Sequence, residues 1–544
     1  MVEALRPGYY LDNFEFVLEF VGQKYPDLLN AEERSFAADF RSQSLDAKRL
    51  YVRLTGRKGP LFREDKLKYS EIEAVGAAID ELAANGFVDH ADDAEVDGLL
   101  ALLTRPELVA LLRGDSPRAA RRDEIEALCK QMLDSAQMLA CMPFRIVRPL
   151  RLDPLLVYRL LFFGNMRQDL TEFVLHELGI TPYESYPIDQ DTRFFGERQV
   201  LEETIALYNL SEQTQQVIEE GQSEQLIAIE ALIADVHEQL AGRASKIRNR
   251  IARELERLGE LDAALLVYEK SDLEPARERR SRILAKVGRA ADAMALCQQI
   301  AREPDSEAEY EFAISFGHRL AKKFAIRHHR LPPRDISELD QRTITIARQA
   351  GVSVEELARR WFEHAGQAAF YVENGLMPGL FGLAFWDIIF LPVRGTFFNP
   401  FQRGPSDLFT PDFRKQRQAL IDARFEALAD IDFFYTRVMQ TFAAKSPIAN
   451  YFVNWGILDE KLLRTVFERI PAADLLKIFQ RLLRDPGHNC SGLPDLIVFP
   501  TEPGYRLVEV KGPGDALQNN QKRWLAFFKQ QHIPAEVAYV KWQS

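Results

Sequence analysis

Two short apolar runs near residue 500 constrain this chain more than any other stretch. Pro494-Asp495 opens Leu496-Ile-Val-Phe499, and fourteen residues beyond Asp495 stands Glu509, in Tyr505-Arg-Leu-Val-Glu-Val-Lys511. Both runs have strand length and strand composition, and Thr501-Glu-Pro-Gly504 between them reads as a turn. Alternation along the second strand puts Glu509 and Lys511 on one face, and Val508 and Val510 on the other. A hairpin in this register brings Asp495 beside Glu509, with the Lys511 ammonium just beyond them. Two hard oxygen donors and a cation suit Mg²⁺ or Mn²⁺ and a phosphodiester. The pattern predicts a metal-dependent nuclease.

The bare string of Pro-Asp followed by acid-any-Lys arises by chance roughly once in five chains of this length. Its surroundings separate it from a solvated surface hairpin. Both acids adjoin apolar strands that should be buried, and a buried carboxylate is costly unless a metal or cation offsets it. A helical pattern from Leu517 to His532 follows, and then a further strand, Glu536-Val-Ala-Tyr-Val-Lys-Trp542. Strand, strand, helix, strand is a sound frame for such a site.

At this point the residues resemble a known family. Gly492-Leu-Pro-Asp-Leu-Ile-Val498, Val508-Glu-Val-Lys-Gly-Pro-Gly-Asp515 and Gln521-Lys-Arg-Trp-Leu525 resemble the VRR-NUC branch of the PD-(D/E)xK nucleases. Upstream, Tyr371-Val-Glu-Asn-Gly375 and Leu380-Phe-Gly-Leu-Ala-Phe-Trp-Asp-Ile-Ile-Phe390 are similar to the Fanconi anaemia-associated nucleases. The long helical regions ahead match by layout, as in a bacterial member without the extended N-terminus and zinc finger of eukaryotic ones. The resemblance implies that Asp495 and Glu509 bind metal, that the Val510 carbonyl adds an oxygen, and that Lys511 orients water and stabilises charge on the phosphate. It further implies that Glu373, on a helix before the core strands, completes the metal site. Gln521 would position a ligand or a DNA phosphate, and Lys522 and Arg523 would hold a terminal phosphate. Asp387 belongs to the family pattern too, as a site residue or as a brace.

With 544 residues the chain should hold several domains. No apolar run reaches membrane-spanning length, and Met1-Val-Glu-Ala-Leu-Arg6 lacks a signal-peptide pattern, so a cytoplasmic protein is expected. The four cysteines (129, 141, 297, 490) form no close pairs, which suits a reducing compartment and argues against zinc. His328-His329, within Arg327-His-His-Arg330, reads as a basic loop. A net charge of −12 does not oppose DNA binding, because affinity follows local phosphate contacts. Basic residues crowd three successive segments: one with Arg248 and Arg250, one with Arg280 and Arg282, and one with Lys322 and Lys323. They read either as a duplex-binding track or as solvated helix faces paired with Glu.

The expected architecture is mainly α and multidomain, ending in an α/β nuclease core of restriction-endonuclease type with a helical insertion. Residues 1–65 form a helical domain. Residues 66–150 resemble a winged-helix or SAP-like DNA-binding region, with a helix closing at Asn85-Gly86 and another capped by Thr104. Residues 151–330 are helical and TPR-like: Leu255-Glu-Arg-Leu-Gly259 returns as Leu284-Ala-Lys-Val-Gly288, a step of 29 residues. Residues 331–343 read as a linker, and 344–544 as the nuclease domain with an insertion at about 411–485. Phe397-Phe-Asn-Pro-Phe401 could stack on bases or pack its loop.

The resemblance implies 5′-flap endonuclease and 5′-to-3′ exonuclease action (phosphodiesterase I type) on branched or flapped double-stranded DNA, by a monomer, in interstrand crosslink repair. The alternatives are a Holliday-junction resolvase of the same branch, and a non-catalytic helical repair scaffold.

Overall fold

The structure is a computed structural model that describes residues 6–112, 121–168, 181–233, 236–327, 329–331 and 340–543. The expected break at Gly114–Pro117, His328 and most of the expected linker lie outside these residues. By its contacts the chain divides into two units, residues 1–181 with 188–191, and residues 182–187 with 192–544. The described elements are mostly helical, with a small sheet in the first unit and a larger one in the C-terminal region.

In the first unit, helices Tyr9–Lys24, Ala31–Ser42 and Leu45–Thr55 bury Phe36, Phe40 and Tyr51 around Phe87. Asn30 and Glu33 form a reciprocal capping box that starts the second helix. Helix Val75–Ala84 stops at Gly86, whose φ of 70° needs no Cβ, and the Phe87 N–H returns to Leu82 O at 2.8 Å. Residues 69–74 precede this helix as a turn and coil. A small sheet follows the order β1 (Phe62–Arg63), β3 (Ile146–Pro149), β2 (Val88–Asp89), antiparallel throughout. This unit thus combines helices with a three-stranded antiparallel sheet. Thr104 caps helix Arg105–Leu111 as its sequence predicts, with the Thr104 N–H donating to Glu107 at 2.7 Å.

The repeat becomes two helix pairs. Ala241–Leu258 turns into Leu261–Glu269 at Gly259, and Ala276–Lys286 turns into Ala290–Arg302 at Gly288; the glycines have φ of 91° and 86°. The 29-residue step is thus one helical hairpin. Helix Glu307–Lys323 packs on the last pair.

A five-stranded sheet forms the C-terminal core, in the order β4 (Gln341–Ile346), β8 (Ala535–Trp542), β7 (Arg506–Lys511), β6 (Leu496–Phe499), β5 (Ala368–Tyr371). β5, β6 and β7 pair antiparallel, whereas β8 runs parallel to both β7 and β4. Residues 341–343 open β4, so the expected linker ends earlier than its polar composition suggests; β4 is an edge strand with little buried surface. One face of the sheet packs on helix Val354–His364 through Val498, Val508, Val510, Ala538, Ala358 and Phe362. Between β5 and β6 the chain makes a buried helix, Leu376–Ala384, and then helices Pro411–Ala427, Ile431–Lys445, Glu460–Arg469 and Ala472–Arg484. Phe397 and Phe398 are buried, Phe397 stacking on Tyr186 at 3.9 Å, so this aromatic loop packs.

Candidate functional site

The hairpin register pairs Leu496 with Val508, which sets Asp495 opposite Glu509. The Val510 N–H donates to Asp495 Oδ2 at 2.8 Å and anchors that carboxylate to the neighbouring strand. Glu509 is 1% exposed and Lys511 8%, and the Lys511 Nζ stands 3.0 Å from Glu509 Oε1. That contact is an ion pair made off the hydrogen-bonding direction, so Glu509 Oε1 is a buried acceptor without a hydrogen-bond donor. Burial pushes Asp495 up to about 6, against the pull of the Val510 N–H, and pushes Glu509 up to about 7, with the Asp495 charge adding to it. Two carboxylates side by side in a dry setting are a poor arrangement for a scaffold and a good one for a divalent ion.

Glu373 reaches the site from a different element than expected. It stands in the turn between β5 and helix Leu376–Ala384, not on the helix itself. The N–H groups of Val372 and Glu373 both donate to Asp495 O, at 2.8 and 3.0 Å, which ties this turn to the start of β6. Glu373 has a φ of 28°, a backbone conformation that costs a residue with a Cβ about 1–3 kcal/mol. Its charge adds to the upward push on both Asp495 and Glu509. Glu355, on helix Val354–His364, does the same to Asp495; the sequence reading missed it because nothing near Glu355 marks it as more than a surface acid.

The donor set fits a hard divalent cation: the buried Glu509 carboxylate, whose Oε1 has the Lys511 ion pair but no hydrogen-bond donor, the half-buried Asp495 carboxylate, and a third carboxylate stitched to Asp495 through the backbone. Among the described residues no group of three or more Asp, Glu, His or Cys side chains closes around an ion unaided. A cation here would therefore need oxygen from backbone, water or substrate as well, as an open catalytic site does.

The remaining candidates are placed as follows. Gln521 is in the first turn of helix Asn519–Gln530, where its Oε1 accepts the Gln518 N–H at 2.9 Å and closes the helix end. Lys522 is exposed, and Arg523 pairs with Glu311 at 3.3 Å. Arg248 donates to Ile233 O, Arg250 to Ser211 O, and Arg280 to Glu269; Arg282 pairs with Glu278 and covers Phe312. These four arginines serve internal contacts of the helical array, whereas Lys322 and Lys323 stand exposed in the last turn of their helix. Asp387 is a brace: it holds Arg424 at 2.8 Å and Arg437 at 2.5 Å.

Comparison with known proteins agrees with this geometry. Residues 435–542 match the VRR-NUC domain family, and residues 8–89 match the FAN1 HTH domain. The chain is 38% identical to a Fanconi-associated nuclease 1 homolog of Pseudomonas aeruginosa, across 98% of this chain and 96% of that one. It is 25% identical to human Fanconi-associated nuclease 1, across 98% of this chain and 62% of the human protein. Among solved structures it resembles paFAN1 bound to 2-nt 5′-flap DNA with a gap, with a TM-score of 0.84, 36% identity and full coverage of both chains.

Proposed function

The chain belongs to the Fanconi-associated nuclease 1 family, and on that premise we propose that Asp495, Glu509 and Lys511 carry phosphodiester hydrolysis at 5′ flaps and near-end nicks in DNA. It is a structure-selective DNA nuclease of repair, dependent on a divalent metal. The finer reading is Mg²⁺ or Mn²⁺ held by Asp495, Glu509, Glu373 and the Val510 carbonyl. The observation that carries it is the buried Glu509 oxygen without a hydrogen-bond donor, between anchored Asp495 and the Lys511 ammonium.

When bound, the cation supplies Lewis acidity at the scissile phosphate. Asp495, locked by the Val510 N–H, and Glu509, locked by burial, orient what they bind without reorganising during the reaction. Lys511 donates N–H groups toward the attacking water and the non-bridging phosphate oxygens, where negative charge grows. The amide NH₂ of Gln521 and the Lys522 and Arg523 side chains meet the strand beyond the cut. Lys322 and Lys323 meet the duplex on its approach. Flap preference, 5′-to-3′ exonuclease action, work as a monomer, a cytoplasmic setting and a role at interstrand crosslinks are inferred from the family. The relative solved on 5′-flap DNA supports the first of these. Among the described residues no helix is long and apolar enough to cross a membrane.

One assay tests the reading: 5′-labelled flap, Holliday junction and blunt duplex incubated with Mn²⁺ and either wild type or Asp495→Ala. Cleavage confined to the flap and lost in the variant is expected. Flap cleavage that survives Asp495→Ala sinks the site.

A further inference from the structure

Glu373 is restrained from outside itself in both backbone and side chain. Its left-handed φ of 28° persists because the flanking turn is pinned. Val372 and Glu373 both donate to Asp495 O, and the Gly375 N–H closes the turn on Val372 O at 2.8 Å. Gly375 has no room for a side chain, since a Cβ there would lie 2.3 Å from Ile457 Cδ1. The carboxylate is fixed at both ends. The Tyr371 hydroxyl donates to Glu373 Oε2, and Asn374 Nδ2 donates to Glu373 Oε1 at 3.1 Å. Asn374 Oδ1 in turn accepts the Leu493 N–H at 3.1 Å, two residues before Asp495. Each Glu373 oxygen keeps a lone pair beyond these bonds.

We propose that Tyr371 and Asn374 are positioning residues that hold the Glu373 carboxylate beside Asp495 before the divalent cation arrives. The inference rests on the reading of Glu373 as a metal ligand. A free glutamate has rotamer freedom to lose when it binds; this one has been ordered by its neighbours at positions −2 and +1. Partners that orient a metal ligand typically change metal affinity or activity by about 10–100-fold when removed.

The test uses the full chain, with Mn²⁺ binding read from the spin-resonance signal of the free ion and flap cleavage followed against Mn²⁺ concentration. The proteins are wild type, Tyr371→Phe, Asn374→Ala, Glu373→Gln and Tyr371→Phe combined with Glu373→Gln. Tyr371→Phe keeps the ring and should weaken Mn²⁺ binding by about tenfold. Its cleavage rate should return toward wild type at saturating Mn²⁺, and in the Glu373→Gln background it should add nothing. Wild-type isotherms for Tyr371→Phe and Asn374→Ala, alongside weakened binding by Glu373→Gln, would overturn the positioning role and leave the ligand reading standing. An equal effect of Tyr371→Phe in the Glu373→Gln background overturns it as well. If Glu373→Gln binds and cuts as wild type does, the ligand reading itself fails, and this inference with it.

Discussion

The Arg481 guanidinium lies 4.7 Å over the Trp524 ring, with Phe527 4.6 Å away, and pairs with Glu307. Trp524 is on the helix that follows the β6–β7 hairpin, and Glu307 begins the last helix of the array. One buried cation therefore joins the helical array to the helix bearing Gln521. Removing one member of a buried pair costs about 3–5 kcal/mol, because the other charge is stranded. Arg481→Ala should lower the melting temperature, and a double Arg481→Leu, Glu307→Leu variant should regain much of the loss. A double variant no better than Arg481→Ala would show that stacking, not charge pairing, carries the joint.

At Glu509, burial and the Asp495 charge outweigh the ion pair with Lys511, so a neutral side chain is more comfortable there. In EDTA at pH 8, Glu509→Gln should melt about 2–4 °C above wild type, the shift expected for roughly 1 kcal/mol. Cleavage should be lost in the same variant, and Mg²⁺ should narrow the gap by stabilising wild type alone. A thermal shift series with and without Mg²⁺ decides it, and a variant that melts below wild type in EDTA contradicts the strained-carboxylate account.

Gly492 has a φ of 82°, and a Cβ there would come within 2.8 Å of the Asn520 backbone carbonyl carbon. Neither the backbone conformation nor the neighbour can yield easily. Gly492→Ala should displace the loop carrying Asp495 from the start of helix Asn519–Gln530. Misplacement of about 1 Å can cost on the order of 10²-fold in rate. Single-turnover cleavage should fall accordingly while flap binding in Ca²⁺ stays near wild type; an unchanged rate would mean the loop absorbs the methyl group.

Acid stability should carry the mark of Glu107. The hydrogen bond from Arg63, and then that from the Thr104 backbone, pull this carboxyl from its ordinary 4.5 down to about 2. A carboxyl depressed on folding stabilises the fold above its unfolded value and loses that contribution as pH falls toward the folded one. Wild type should therefore lose stability between about pH 4.5 and 2, and Glu107→Gln should show a shallower loss over that window. Melting followed across that range checks the slope; parallel curves would assign the acid sensitivity elsewhere.

Much of the β6–β7 hairpin was legible because strand alternation is a strict local rule: the faces of Glu509 and Val510 follow from period two alone. The turn at Thr501–Gly504 and the helix and strand after it were equally local. Glu373 was found only by resemblance, since more than a hundred residues of helical insertion separate it from Asp495. Its place in a turn was hidden, because a left-handed φ at a glutamate is a tertiary effect that no propensity announces. The first half of β4, residues 341–343, was read as linker for a related reason: an edge strand buries one face weakly, and its polar alternation looks like coil. The arginine clusters left two readings open. Charge density along a helix is visible in sequence, but whether Arg248 or Arg280 faces solvent or an internal acceptor depends on how helices pack.

The parallel pairing of β8 with β7 and β4 has a consequence for synthesis. Until β8 joins, the strand carrying Glu509 and Lys511 is an open edge, and β4 has no partner at all. Contacts this distant in sequence form late, after loop-closure entropy has been met. A growing chain on the ribosome can thus fold its helical portions well before β8 closes the sheet beside the β6–β7 hairpin. The order of synthesis thus makes enclosure of the strand that carries Glu509 and Lys511 a late event.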